Sequence, residues 1–97
     1  MLMKLAWTTH ATRRRREIFL YITEDNPEAA GALDRDFEDA ASQILLFPNK
    51  GRKGRVTGTR ELVIRTRYIL VYRVVEDTVQ ILTIYHAAQQ YPPEVIS

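Results

Sequence analysis

Small apolar and polar residues alternate from Lys4 to Thr8, which predicts a short strand with Leu5 and Trp7 on one face. Thr8 or Thr9 then offers a hydroxyl to an orphan N–H of a first helical turn. The helix that follows runs to about Thr23, with Ala11, Ile18 and Ile22, joined by Phe19, at the spacing of one buried face. Asp25-Asn26-Pro27-Glu28 stops this helix and starts another. Asn26 suits the N-cap, Pro27 the first helical position, and Glu28 the positive helix end. From Pro27 to about Phe47, the residues Ala30, Leu33, Phe37, Ala40, Ile44 and Leu45 recur at i, i+3, i+4, the longest periodic segment of the chain. Two helices so closely joined pack as an antiparallel hairpin.

Pro48 ends the second helix. Between it and Thr59 fall Gly51, Gly54 and Gly58, with Lys50, Arg52, Lys53 and Arg55 among them, and this composition predicts a charged surface loop. Beyond it Val, Ile, Tyr and Thr dominate, and Arg60 to Ile64, Tyr68 to Val75 and Val79 to His86 read as strands. Arg65-Thr66-Arg67 and Glu76-Asp77-Thr78 are short enough for hairpins. The predicted fold is therefore α+β, in the order β-α-α-β-β-β, with the helical hairpin packed on one face of a small, mainly antiparallel sheet. The whole chain, 1–97, forms a single domain, and its tail from Tyr91 to Ser97, with Pro92-Pro93, cannot continue a strand.

Composition narrows the chemistry. With 97 residues, 45% of them hydrophobic and 27% charged, the chain has the profile of one soluble globular domain. Cys is absent, which removes disulfides, thiolate metal sites and a cysteine nucleophile. His10 and His86 are the two histidines, so a protein-only zinc site would need several carboxylates as well, and no metal or cofactor is expected. No apolar run reaches the roughly 20 residues that cross a bilayer, and Met1 to His10 lacks a signal-peptide core. A cytoplasmic protein without membrane contact is the simplest reading.

Charge changes the picture more than composition does. Glu24 to Asp39 holds seven acids against Arg35, a balance of −6, while Lys50 to Arg73 holds eight bases against Glu61, a balance of +7. Such segregation gives a dipolar surface whose basic side attracts an anionic partner: RNA, DNA or an acidic peptide. The loop Lys50-Gly51-Arg52-Lys53-Gly54-Arg55 lacks the phosphate-loop pattern G-x-x-x-x-G-K-[ST], so it is either a solvated loop or an electrostatic docking element. The run Arg13 to Arg16 fans around more than half of the first helix, either bridging the acids of the second or meeting a partner. Tyr85 and His86 point to opposite faces near the end of the last strand, and His86 is either structural or a general acid–base. Tyr68, Leu70, Tyr72 and Val74 share a face that reads as core, whereas Arg73 lies on the other face with Ile69 and Val71.

Three segments go beyond generic grammar: Gly51 to Leu62 (Gly-Arg-Lys-Gly-Arg-Val-Thr-Gly-Thr-Arg-Glu-Leu), Tyr68 to Val74 (Tyr-Ile-Leu-Val-Tyr-Arg-Val), and Val79 to Pro92 with His86, Gln89 and Pro92 at its end. Together with Asp25-Asn26-Pro27 followed by Ala29-Ala30, they resemble the RelE/ParE superfamily of bacterial toxins over residues 4 to 92. The resemblance implies the toxin half of a type II toxin–antitoxin module, neutralised by a cognate antitoxin and reaching operator DNA only through that antitoxin.

Two activities divide the superfamily. RelE-like members cleave mRNA on the ribosome, and ParE-like members bind DNA gyrase and block replication. RelE-like cleavage needs cations to stabilise the charge that develops on the phosphate and a group to activate the 2′-hydroxyl. The family positions for these groups fall here at Arg60, Leu62, Ile69, Gln89 and Val95, so one of them stays basic. A branch with a C-terminal His-Tyr pair is only approximated, since Tyr85-His86 has the reverse order. An mRNA interferase would need another set, with Arg60, Arg73 and His86 as its catalytic core and Arg65 and Arg67 nearby. These losses favour the gyrase reading, in which Arg13, Arg16, Arg52, Lys53, Arg55, Arg65 and Arg67 form contact surface.

Overall fold

A computed structural model describes residues 2–93. Strand β1 (Lys4–Trp7) leads into α1 (Thr9–Thr23) and α2 (Pro27–Leu46), followed by β2 (Arg52–Lys53), β3 (Arg60–Ile64), β4 (Tyr68–Val75) and β5 (Thr78–His86). Both helix starts are capped as the sequence dictates: the Thr8 hydroxyl accepts from the Ala11 N–H at 3.0 Å, and the Asn26 side chain from the Ala29 N–H at 3.1 Å. The strands form one sheet in the order β1-β5-β4-β3-β2, antiparallel except for the parallel β1–β5 pair.

The helical hairpin covers one face. Ala11 and Ile18 of α1 and Leu33, Phe37, Ala40, Ala41 and Ile44 of α2 close over Leu70, Tyr72, Val79, Ile81 and Ile84. Phe19, placed with the buried stripe by spacing, is instead 37% exposed, because α1 buries only a narrow face of small and branched residues. Val74 is also exposed although its alternation put it in the core. β3 begins opposite Tyr72, so β4 has no neighbour on that side beyond this point.

The glycine segment is not wholly a loop. Arg52 and Lys53 pair with Glu61 and Arg60 to make a two-residue edge strand, too short and too charged to show alternation. Tyr72 anchors its approach: its buried hydroxyl donates to Pro48 O at 2.7 Å and accepts from the Gly51 N–H at 2.9 Å. A Cβ on residue 51 would come within 2.8 Å of that same ring and hydroxyl, so the contact requires glycine.

One irregularity sets the two faces of the sheet. Val71 pairs with Thr83 and Tyr72 with Ile81, which leaves Leu82 as a bulge in β5. Ile81 and Ile84 can then both point at the helices, while Tyr85 points to the opposite face.

Candidate functional site

The residues proposed for RNA cleavage are spread out. Arg60 opens β3 opposite Tyr72, and its guanidinium donates to Gly51 O at 2.7 Å and Asn49 O at 3.4 Å. His86 closes β5 opposite Tyr68, its ring edge-on to that tyrosine at 5.3 Å, and its Nδ1 accepts the Ala88 N–H at 3.1 Å. Tyr68 and Tyr72 are four residues apart on β4, so Arg60 and His86 are separated by about 13 Å along the strand direction alone. Arg73 sits in register with Gln80 and donates to its side chain at 2.7 Å, exposed at the far end of the hairpin. No single phosphate can touch all three. Of the other family positions, Leu62 packs against the helix-side core, Ile69 is buried on the opposite face, and Val95 lies outside the described residues.

The basic residues proposed for partner contact occupy three regions. On α1, Arg13 and Arg16 face solvent, while the arginines between them are committed: Arg15 lies 4.8 Å over the Trp7 ring and bridges Asp34 at 2.7 Å and Glu38 at 2.8 Å, and Arg14 donates to Ile84 O at 3.1 Å. The bonds to Asp34 hold the Arg15 guanidinium above its ordinary pKa. Of the two roles expected of the arginine run, bridging the acids of the second helix is met by Arg15 alone. At the β3–β4 turn Arg65 bonds to the Asp36 carboxylate and Arg67 is exposed. Arg52, Lys53 and Arg55 line the β2 edge.

Around the β3–β4 turn lies a cleft of about 520 Å³, bounded by Arg65, Arg67, Tyr68 and His86 on the sheet side and by Tyr21, Ile22, Ala29 and Leu33 on the helices. Tyr21 is 76% exposed and Leu20 51%. Three large apolar residues in succession, Phe19-Leu20-Tyr21, turn through 100° steps on a helix and cannot all be buried, a signal that sequence reasoning missed.

The helix-free face carries a second arrangement that sequence reasoning missed. Ile69, Val71 and Tyr85 are buried there beneath Leu82 and Tyr91, with Tyr91 stacked on Tyr85 at 4.4 Å and 15°. The Arg55 guanidinium stands 5.9 Å from the Tyr85 ring and donates to Tyr91 O at 3.4 Å. Beside them Glu61, 2% exposed, accepts from the Arg52 guanidinium at 3.1 Å and from the Arg55 N–H at 2.9 Å. Burial first, and the Glu61 charge second, raise the pKa of both tyrosines. Glu61 was legible as the lone acid inside a basic segment, but its burial depends on a β2 strand that had no pattern.

Fold and surface together define a small α+β domain with a basic rim and a cleft of mixed polarity. Comparison with known proteins gives this class its family. Residues 5–91 match the model of the ParE toxin of the type II toxin-antitoxin system, parDE. The chain is 42% identical over 90 residues to Y4kP of Sinorhizobium fredii, a candidate toxin, covering 92% of this chain and 93% of that one. It is 33% identical over 86 residues to toxin RelE2 of Caulobacter vibrioides, covering 89% and 97%. Among solved structures it is similar to a chain of the chromosomal ParDE toxin–antitoxin system from P. aeruginosa, with a TM-score of 0.80, 26% identity, and coverage of 88% and 96%. The chain belongs to the ParE toxin family of type II toxin–antitoxin systems.

Proposed function

We propose that this toxin acts in the ParE manner, by binding DNA gyrase and blocking replication, and that a cognate antitoxin encoded beside it neutralises it in the cytoplasm. The observation that carries this reading is the dispersal of Arg60, Arg73 and His86 over both faces and opposite ends of the sheet. Stabilising a developing phosphorane needs donors converging on one oxygen cluster, and these three do not converge. What remains is contact surface: Arg13, Arg16 and Arg67, with the exposed side chains Leu20 and Tyr21. Binding energy spread over such a surface falls in graded steps when single residues are truncated.

The test is a supercoiling assay with purified gyrase, run beside ribosome-programmed translation with primer extension on the message. Lost supercoiling with intact message is the expected result. Message cut only when ribosomes are present would overturn it, and the likeness to a toxin named RelE2 makes that the opposing outcome to watch. Failure of the neighbouring antitoxin to bind the purified chain would overturn the toxin–antitoxin pairing itself.

A further inference from the structure

The outermost line of α1 carries a pattern that neither the core nor α2 uses. Ala11 and Ile18 fix the buried side of this helix, and Leu20 lies between about 160° and 180° around the axis from them. Leu20 therefore stands at the exposed crest, with Phe19 and Tyr21, also exposed, on its two flanks. A lone surface leucine is ordinary, but three large apolar side chains in succession make a patch.

Charges bracket the leucine in a fixed order. Arg16 and Glu24 lie four residues to either side of it, each turned only about 40° from it, so Arg16, Leu20 and Glu24 form one ridge about 12 Å long. The two charges are too far apart to pair with each other. The residues three and four places away on α1 are Thr12, Arg13, Phe19 and Leu20 for Arg16, and Leu20 and Tyr21 for Glu24, so none offers an opposite charge. Among the described residues neither side chain forms an ion pair. Glu24 also caps the negative end of α1, where the helix dipole disfavours an acid. Within one chain the ridge is unsatisfied at both ends and in the middle.

We propose that this ridge is a homodimer interface, in which α1 of a second copy packs antiparallel across it with Leu20 on the two-fold axis. About such an axis the residue four places before Leu20 meets the residue four places after it on the other copy. Arg16 then faces the partner's Glu24, Glu24 faces the partner's Arg16, and Leu20 meets itself. The order cation, apolar, anion is self-complementary in this sense alone, since a parallel pairing would set like against like. A polyanion or an acidic peptide would match only the Arg16 end. Glu17, beside the ridge, is already engaged by Arg14 of its own chain at 3.4 Å. One helix pair buries less than the roughly 1,600 Å² of a standard interface, so the dimer is weak, with a Kd of about 10–100 µM. Arg13, Arg16, Leu20 and Tyr21 are also the surface assigned to gyrase, so the dimer hides it and the monomer is the form that inhibits. This last step rests on the gyrase reading, whereas the dimer does not.

Sedimentation velocity of the full-length chain at low ionic strength, from about 1 to 500 µM, tests the dimer without any target present. The wild type should pass from monomer to dimer across that range. Arg16→Glu and Glu24→Arg each set like charges together twice across the axis, and each alone should weaken association at least about tenfold. Mixed in equal amounts the two variants should associate again, because both contacts of the mixed dimer are opposite in sign. The double variant, Arg16→Glu with Glu24→Arg, should self-associate as the wild type does. Recovery on mixing also shows that both single variants are folded. A wild type that stays monomeric throughout overturns the dimer, and if Leu20→Glu then abolishes binding of gyrase or of the antitoxin, the patch belongs to that partner instead. A dimer indifferent to the single swaps, or singles that mixing does not restore, overturns the antiparallel α1 interface. Supercoiling inhibition is scored separately: a confirmed dimer with no effect on gyrase removes the consequence for inhibition and leaves the interface standing.

Discussion

On one face of the sheet, Leu70, Tyr72, Val79, Ile81 and Ile84 are buried by two helices that bring their own apolar stripe. On the other, Ile69, Val71 and Tyr85 are buried almost as completely, with no helix packed over them and only His10 and Arg14 of α1 at the border. Their cover is the single ring of Tyr91, a bulged leucine and the Arg52–Glu61–Arg55 polar cluster. Equal burial therefore hides unequal cost of exposure. Uncovering the first face means undocking two capped helices, which is close to global unfolding. Uncovering the second means lifting a few residues after β5, held by one stack, one long bond from Arg55, a bond from Arg14 to the Gln89 side chain at 3.2 Å, the Ala87 N–H on Arg67 O at 2.7 Å, and a short turn in which the Gln89 side chain accepts the His86 N–H at 3.0 Å. Local openings of this kind lie at the low end of a protein's range of stabilities.

The largest expected effect lies on the helix side. Phe37 is 1% exposed and meets Tyr68 edge-on at 5.7 Å. Phe37→Ala should cost about 3–5 kcal/mol, a large part of what a domain of this size has. Urea unfolding followed by circular dichroism measures it. Amide exchange should show protection falling on both faces together, because the helices leave as a unit. Loss confined to the helices would break the contrast.

Glu61→Ala should rank next, at about 1–3 kcal/mol, since it leaves the Arg55 N–H without its acceptor while the Arg52 head can turn to water. Glu61→Gln keeps an acceptor and should recover about half of that. If Glu61→Ala cost as much as Phe37→Ala, the polar cluster would be a core in its own right and the two faces would not differ in kind.

Tyr91→Ala removes the stacked ring and should cost about 1 kcal/mol, with exchange rising at Ile69, Val71 and Tyr85 and unchanged in the helices. It also carries a pH signature. The Tyr85 phenol titrates above its usual 10.0 because burial, then Glu61, disfavours the phenolate. A group whose pKa is raised by folding contributes stability that is complete below its unfolded pKa and is lost as pH climbs through the folded one. Wild-type stability should therefore fall above about pH 10, and Tyr91→Ala should soften that fall by letting water reach the phenol. Ultraviolet difference titration of the tyrosines reads the shift directly.

How much of this contrast the chain advertises differs between the faces. The helix side is written in periodicity and caps: Asn26-Pro27 and the run from Ala30 to Ile44 specify α2 with no tertiary information. The strand runs after Thr59 specify the meander equally well. The other face depends on long-range events with no local pattern. β2 exists because Gly51 lets Tyr72 reach the chain and Glu61 gathers two donors. The bulge at Leu82 reverses the alternation that would place the residues of β5. The basic residues were visible as a charge excess, and a bridge from the Arg13–Arg16 run to the acids of α2 was expected, but sequence could not show that Arg15 alone makes it, that Arg65 joins it, or that Lys53 and Arg60 stand opposed.

The smallest predicted change serves as an internal standard, because it alters stability without touching either face. In the β3–β4 turn Arg65 and Thr66 have φ values of 55° and 60°, with the Arg67 N–H donating to Ile64 O at 3.3 Å. Positive φ at both central positions is the hairpin geometry that favours Asn-Gly, and a β-branched threonine pays the most to adopt it. Thr66→Gly gains the relaxed backbone and loses chain entropy plus the bond from its hydroxyl to Arg65 O, leaving a net stabilisation of about 0.5 kcal/mol. Gly58, at φ 84° with open space around it, should respond in the opposite sense, Gly58→Ala costing about 1 kcal/mol. Denaturant midpoints for this pair bracket the backbone contribution at two exposed turns. A Tyr91→Ala loss that falls within that bracket and leaves exchange at Ile69 and Val71 unchanged would mean the ring only rests on the sheet. Exchange raised on that face alone would make the ring its cover, whatever the size of the loss.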